Sequence, residues 1–260
     1  MSGHSIDLLI IAPALLAGVL VLLTHIPLGA QVLQRGIVFI DLAIAQIAAL
    51  GVIVAGFAGL DPEGWMVQAA AGIAALSGAL LLTWTEKKWP KVQEAQIGAL
   101  FVLAATGGVL LVANNPHGSE HLHDLLSGQI LWVGYAQLIL PAIVTTLVVG
   151  TLALFGERVG RLGFYVLFAL AVTVSVQLVG VYLVFASLII PSLGVRNFTQ
   201  PKRLPLAFTI GIGGYASGLV LSTLSDLPAG ALIVWCLALL AIAMHGFGPN
   251  AADGKADQTG

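Results

Sequence analysis

Apolar runs of about twenty residues recur along the whole of this 260-residue chain, at 8–28, 37–60, 66–84, 95–113, 130–155, 206–224 and 229–246, with a longer one at 163–195. Some twenty residues of α-helix cross the ~30 Å hydrocarbon layer of a bilayer. Backbone in lipid must satisfy its own polar groups, which leaves helices for segments of this kind. Only 8% of the residues are charged and 58% are hydrophobic, against about 25% charged in a soluble domain. The chain therefore reads as all-α, a polytopic transmembrane bundle of about eight to nine spans. Residues 1–246 form one membrane domain, and 247–260 read as a polar, disordered tail. The first run has no basic residues before it and no A-x-A-like site after it, so it reads as a span and not a cleaved signal.

The ten basic residues set the orientation. Arg35 follows the first run; Lys87, Lys88 and Lys91 follow the third; Arg158 and Arg161 follow the fifth. Arg196, Lys202 and Arg203 follow the long run, and Lys255 is in the tail. The remaining connections carry acids but no Lys or Arg. The positive-inside rule puts the basic set in the cytoplasm, the N-terminus outside and the C-terminus inside. For that alternation the thirty-three residues 163–195 must cross twice. They are short for two full spans, so one span and a shorter or partly re-entrant return are expected, with Gly180, Pro191 and Gly194 as break points. Trp65 and Trp132 near outer boundaries, and Trp84 and Trp89 at an inner one, fit interfacial belts.

Polar residues are scarce inside the runs. Asp41, near the start of the second, is either an ordinary interfacial acid or part of a pathway. Gln46 and Gln177 suit interhelical hydrogen bonds or the lining of a path. His25 and His245 read as interface residues, and Glu94 favours the N-terminus of the fourth helix through its dipole. Cys236 is the only cysteine, which excludes an intramolecular disulfide and a Cys-based zinc site. No G-x-x-x-x-G-K-[ST] loop is present, so the chain has no phosphate cradle of its own. No enzymatic activity is expected.

The connection 114–127 holds three of the six histidines. Asn115-Pro116 reads as an N-cap with proline at the first helical position. In a helix from there, His117, Glu120, His121 and Asp124 would share one face, with His123 beside them. Imidazoles and carboxylates on one stripe suit a divalent cation such as Zn²⁺. The alternative is a solvated loop, and Gly118 weakens the helix.

Four stretches in order resemble one family. Leu178-Val-Gly-Val-Tyr-Leu-Val-Phe-Ala-Ser-Leu-Ile-Ile-Pro-Ser-Leu-Gly-Val-Arg-Asn-Phe198 is similar to the signature of the zinc/manganese/iron permeases of ABC importers. Pro27-Leu-Gly29 with Arg35, Glu94-Ala-Gln-Ile-Gly98 and Ser225-Asp-Leu-Pro-Ala-Gly230 resemble three further motifs of that family. One departure stands out. The family commonly carries an Asp and a His four residues apart on the second span. Here the His position is Gln46 and the Asp position Leu42, with Asp41 one residue earlier. Asp41 and Gln46 are about 140° apart around a helix, so the family pair is absent as such.

The resemblance implies a bacterial cell-membrane permease that works as a pair of copies. It also implies a separate cytoplasmic ATPase and an external metal-binding protein as partners. A divalent ion, zinc before manganese or iron, is then the cargo, with no permanent cofactor and no nucleic-acid partner. Asp41, Gln46 and Gln177 become candidates for the translocation path. Arg196, Asn197, Phe198, Thr199, Lys202 and Arg203 become candidates for coupling to the ATPase. A stand-alone metal transporter or channel is the alternative, although one chain carrying ions alone would want more intramembrane acids and histidines. Carriage of a metal chelate is the other.

Overall fold

The structure is a computed structural model that describes residues 8–60, 64–112, 130–246 and 248. Among these residues it is helical without strands. The helices are α1 (Leu8–Arg35), α2 (Ile40–Phe57), α3 (Trp65–Lys88), α4 (Gln93–Val112), α5 (Ile139–Phe155), α6 (Arg161–Val179), α7 (Val181–Gly194), α8 (Gln200–Ser225) and α9 (Ala229–Gly246). Eight of the helical segments are long and apolar enough to cross a membrane, and α7 is the shorter exception. The bundle expected from the apolar runs is the bundle observed.

The long run breaks at Gly180, whose backbone (φ 82, ψ 163) lies where an L side chain would be strained. Its second half, α7, has 14 residues and so a length of about 21 Å. That is less than the ~30 Å of hydrocarbon, so the short return element is a helix that does not cross unaided. Pro191 lies inside α7 and Gly194 ends it, so neither is the main break.

Two boundaries differ from the sequence reading. Helix α1 continues through Pro27 to Arg35, which leaves His25 well inside it and fully buried, not at an interface. In the run 130–155 the long helix starts only at Ile139. Before it, Ile130–Trp132 and Tyr135–Leu138 form tight turns on either side of an extended Gly134. The Gly134 N–H donates to Gln137 Oε1 at 2.9 Å, which fixes the second turn.

Helices α1, α7, α8 and α9 pack as one block, and α2, α3 and α4 as another, with α6 against both. Among the largest fully buried side chains are Tyr165, Phe164 and Phe168 on α6, the helix packed against both blocks, while Tyr215 on α8 is buried inside the first block against Gly18 and Ser187. Contacts gather the basic residues at one end. Arg35 lies over the Phe164 ring at 4.2 Å. Arg161 Nε pairs with Glu86 at 3.2 Å. Arg196 and Arg203 line one cleft with Pro27, Leu33 and Gln34.

Candidate functional site

At the basic end, the segment between α7 and α8 is shaped by a single side chain. Arg203 reaches back along the turn, donating from Nε to the Phe198 carbonyl at 2.6 Å and from Nη2 to the Arg196 carbonyl at 2.8 Å. These carbonyls follow the end of α7 and have no helical partner, so a cation there satisfies them. The backbone of Thr199 starts α8 by accepting from the N–H groups of Lys202 and Arg203. Asn197 Nδ2 lies 3.4 Å from His245 Nε2 on α9. Phe198 packs against the buried core, while Arg196, Thr199 and Lys202 face outward. The turn is thus held to α7, α8 and α9 together and presents a basic outer surface. Beside it lies a cleft of about 480 Å³ between α1, α7 and α8.

On α2, Asp41 is fully buried in the first helical turn, and neither carboxylate oxygen has a hydrogen-bond partner among the described residues. Arg35 does not meet it, being stacked on Phe164 instead. The position at the helix N-terminus favours negative charge, but burial without a partner costs a carboxylate far more than that returns. Leu42 and Gln46, four residues apart on one face, are half-buried.

At the opposite end, Gln177 lines a cleft of about 500 Å³ with Trp65 and Gln68 of α3, Trp132, Gln137 and Pro141. Its Nε2 is buried and has no partner among the described residues, so it makes no hydrogen bond to another described helix through that atom. The structure does not bring Asp41, Gln46 and Gln177 into one cluster. The candidates His117, Glu120, His121, His123 and Asp124 lie outside the described residues. Among the described residues, no group of three or more His, Cys, Asp or Glu side chains could hold a metal ion.

Some polar arrangements escaped the sequence reading. His25 Nδ1 donates to the Val21 carbonyl at 2.9 Å, with Thr24 Oγ1 also 2.9 Å from that nitrogen, and its Nε2 is left buried without a partner. Gln93 Nε2 donates to the Leu82 carbonyl at 3.1 Å and to Tyr165 Oη at 3.3 Å. Gln93 and Tyr165 are far apart in sequence, and neither stands out from its neighbours there. Glu94, expected to serve α4 alone, also accepts from the Phe39 N–H at 3.3 Å and so links the starts of α2 and α4.

Three of the four motif stretches occupy helix ends or junctions, and Pro27-Leu-Gly29 lies inside α1 at a close approach to α7. A Cβ on Gly29 would run into the Leu188 carbonyl of α7, and Ser192 Oγ of α7 donates to the Ile26 carbonyl at 3.5 Å. The last motif turns at Asp226 (φ 55), and Ser222 Oγ closes it on the Leu227 carbonyl at 2.6 Å. A model of the ABC 3 transport family matches residues 7–160 and 156–247. The chain belongs to the ABC 3 transport family. Among relatives, it is 26% identical over 252 residues to the high-affinity zinc uptake system membrane protein ZnuB of Haemophilus influenzae, covering 89% of this chain and 95% of that one. It is 27% identical over 259 residues to the manganese transport system membrane protein MntC of Listeria monocytogenes, covering 91% and 90%. Its fold is shared with PsaBC from Streptococcus pneumoniae, solved in complex with a Fab, at a TM-score of 0.76 and 19% identity over 95% of this chain and 94% of that one. As a member of this family the chain is a multi-pass membrane protein of a metal-transporting ABC class.

Proposed function

We propose that this chain is the membrane subunit of an ABC importer that brings a divalent transition-metal ion into a bacterial cell, zinc first, manganese or iron as alternatives. The observation that carries the reading is the family match along nearly the whole chain, with relatives named for zinc and manganese transport at similar length. Two copies enclose the path, a separate ATPase docks at the basic, cytoplasmic end, and an external binding protein delivers the ion at the other. The N-terminus is outside and the C-terminus inside.

Each candidate residue has a role in this reading. The 114–127 loop, with His117, Glu120, His121, His123 and Asp124, gathers metal weakly on the outer side. Gln177 lines the outer cleft. Gln46 lies on the path and offers one weak amide ligand, and Asp41 lies buried about 140° around the same helix. An ion is then passed on without being held, as conduction requires. The turn of Arg196, Asn197, Phe198, Thr199, Lys202 and Arg203 transmits the ATPase stroke to α7, α8 and α9.

The test is uptake into proteoliposomes that carry the permease with its ATPase, with the binding protein and radiolabelled Zn²⁺ or Mn²⁺ outside. ATP-dependent uptake of the bare ion is expected. Uptake without the ATPase would make the chain a stand-alone transporter, and uptake only of chelated metal would change the cargo. Replacing His117, His121 and His123 together with Ala lowers uptake at limiting metal and spares it when metal is plentiful. Unchanged uptake at every concentration reduces the loop to a spacer.

A further inference from the structure

On α3, Ile73, Ser77, Leu80, Trp84 and Lys88 recur at intervals of three and four, and all are exposed in the chain, opposite the buried stripe of Ala71, Ala75, Ala79 and Leu82. The exposed stripe changes character along its length. It is aliphatic at Ile73 and Leu80, 67% and 54% exposed, then aromatic at Trp84, then cationic at Lys88. At the basic end Trp84 and Trp89 meet edge to face with centroids 5.4 Å apart. Lys88 Nζ sits 5.0 Å from one ring and 4.6 Å from the other. Lys87 and Lys91 flank them, both exposed. None of the three lysines makes an ion pair among the described residues; Glu86 pairs with Arg161, and Glu94 Oε1 accepts from the Phe39 N–H.

We propose that this corner, Trp84, Lys87, Lys88, Trp89 and Lys91, is a binding site for an anionic phospholipid of the inner leaflet. The order of chemistry along α3 matches the order of chemistry along one such lipid. Acyl chain lies on Ile73 and Leu80, the glycerol region on Trp84, and the phosphate at the lysines. Indole rings occupy this depth by preference. Two of them also fix Lys88 in place by cation–π contact, so its ammonium is positioned before a phosphate arrives. The local charge is what separates this corner from an ordinary aromatic belt. Three cations within five residues outnumber the acids beside them, Glu86 being paired with Arg161 and Glu94 alone remaining. They attract an anionic headgroup at about 1 kcal/mol each, roughly fivefold per lysine. The site is built into the bundle, since the α3–α4 connection is braced on α6 through Glu86–Arg161 and Gln93–Tyr165. A bound lipid would therefore set how α3 stands against α6, whatever ion is carried.

The test uses the full-length permease with Trp65, Trp132 and Trp235 changed to Phe, leaving Trp84 and Trp89 as reporters. It is reconstituted in vesicles doped with brominated phosphatidylglycerol or brominated phosphatidylcholine. Stronger quenching by the anionic lipid at equal mole fraction is expected. Changing Lys87, Lys88 and Lys91 to Gln should lower that preference roughly fivefold per residue and leave quenching by the zwitterionic lipid as it was. Equal quenching by both lipids overturns the proposal. So does loss of the preference on adding the ATPase, or crosslinking of residue 88 to the ATPase or to a second copy, since a protein would then own the surface. Native mass spectrometry of the unaltered chain against the three-lysine variant checks the result without the Trp changes. The unaltered chain should retain phosphatidylglycerol and the variant should lose it, and equal retention overturns the proposal.

Discussion

Where α1, α7, α8 and α9 meet, backbone touches backbone, whereas glycines of α3 and α4 mostly face the tips of flexible side chains. In the first block a Cβ on Gly218 would come 2.5 Å from the Ile233 Cα, one on Gly194 2.9 Å from the Ala241 Cα, and one on Gly29 into the Leu188 carbonyl, although Gly18, Gly211 and Gly213 face the side chains of Tyr215, Leu22 and Leu240. In the second, Gly78 meets the end of Ile47, Gly107 the end of Leu50 and Gly108 the end of Ile53, and only Gly51 comes close to backbone, at Ala70 and Ala71. A block packed on main chain cannot yield locally, so it moves as a unit. A block packed on side-chain ends can re-pack rotamer by rotamer. The turn proposed to receive the ATPase stroke belongs to the first block, and Asp41 and Gln46 belong to the second. The division suits a machine that pushes on something stiff and adjusts something soft.

The largest effect that could break this comparison is Gly29→Leu. A side chain there has no space that a rotamer change could open, so a loss of about 3 kcal/mol or more is expected. Thermal unfolding in detergent checks it, and a variant that melts with the wild type would remove the claim that the first block is rigid. Next comes Arg203→Met, which abandons two carbonyls in the coupling turn. Each charge-assisted bond contributes about 1.5–3 kcal/mol, partly recovered by water at this end. ATP hydrolysis by the assembled transporter should continue while metal uptake falls several-fold. Uptake and hydrolysis falling in parallel would assign Arg203 to assembly alone.

Asp41→Leu sharpens the contrast from the other side. Removing a buried carboxylate that has no partner should stabilise the protein by about 1–3 kcal/mol, while metal uptake drops. If stability rises and uptake is untouched, Asp41 has no part in the path. The smallest effect is Gly72→Ala on α3, where a Cβ meets nothing within 4 Å. It should raise stability by about 0.5–1 kcal/mol through helix propensity. A loss of similar size at Gly72 would mean that a second copy packs there.

Much of the architecture could be read before any coordinates. The length and spacing of the apolar runs dictate a helical membrane bundle, because no other solution satisfies both the side chains and the backbone in lipid. A break in 163–195 follows from the shortage of residues between two basic connections, but the choice of Gly180 over Pro191 and Gly194 came from the structure. The motif stretches are informative because they sit at helix ends or, for Pro27–Gly29, at a close helix approach, where the residue type is restricted. Candidate site residues were less legible. Asp41 read as an acid six residues from Arg35, and a neutral choice between interface and path was all that distance along the chain allowed.

The amino-acid sequence by itself determined that the chain crosses the bilayer, roughly how its spans are spaced and which connections carry the positive charge, because hydropathy and lysine act locally. Only the tertiary structure decided that Arg35 stacks on Phe164 and leaves Asp41 without a hydrogen-bond partner among the described residues. It also decided that Arg203 folds back on the turn, and that Glu86 engages Arg161 and leaves the lysines beside it unpaired. Those outcomes depend on which charges reach one another across helices. Burial and competition between partners settle that choice, and neither is a property of any one stretch of sequence.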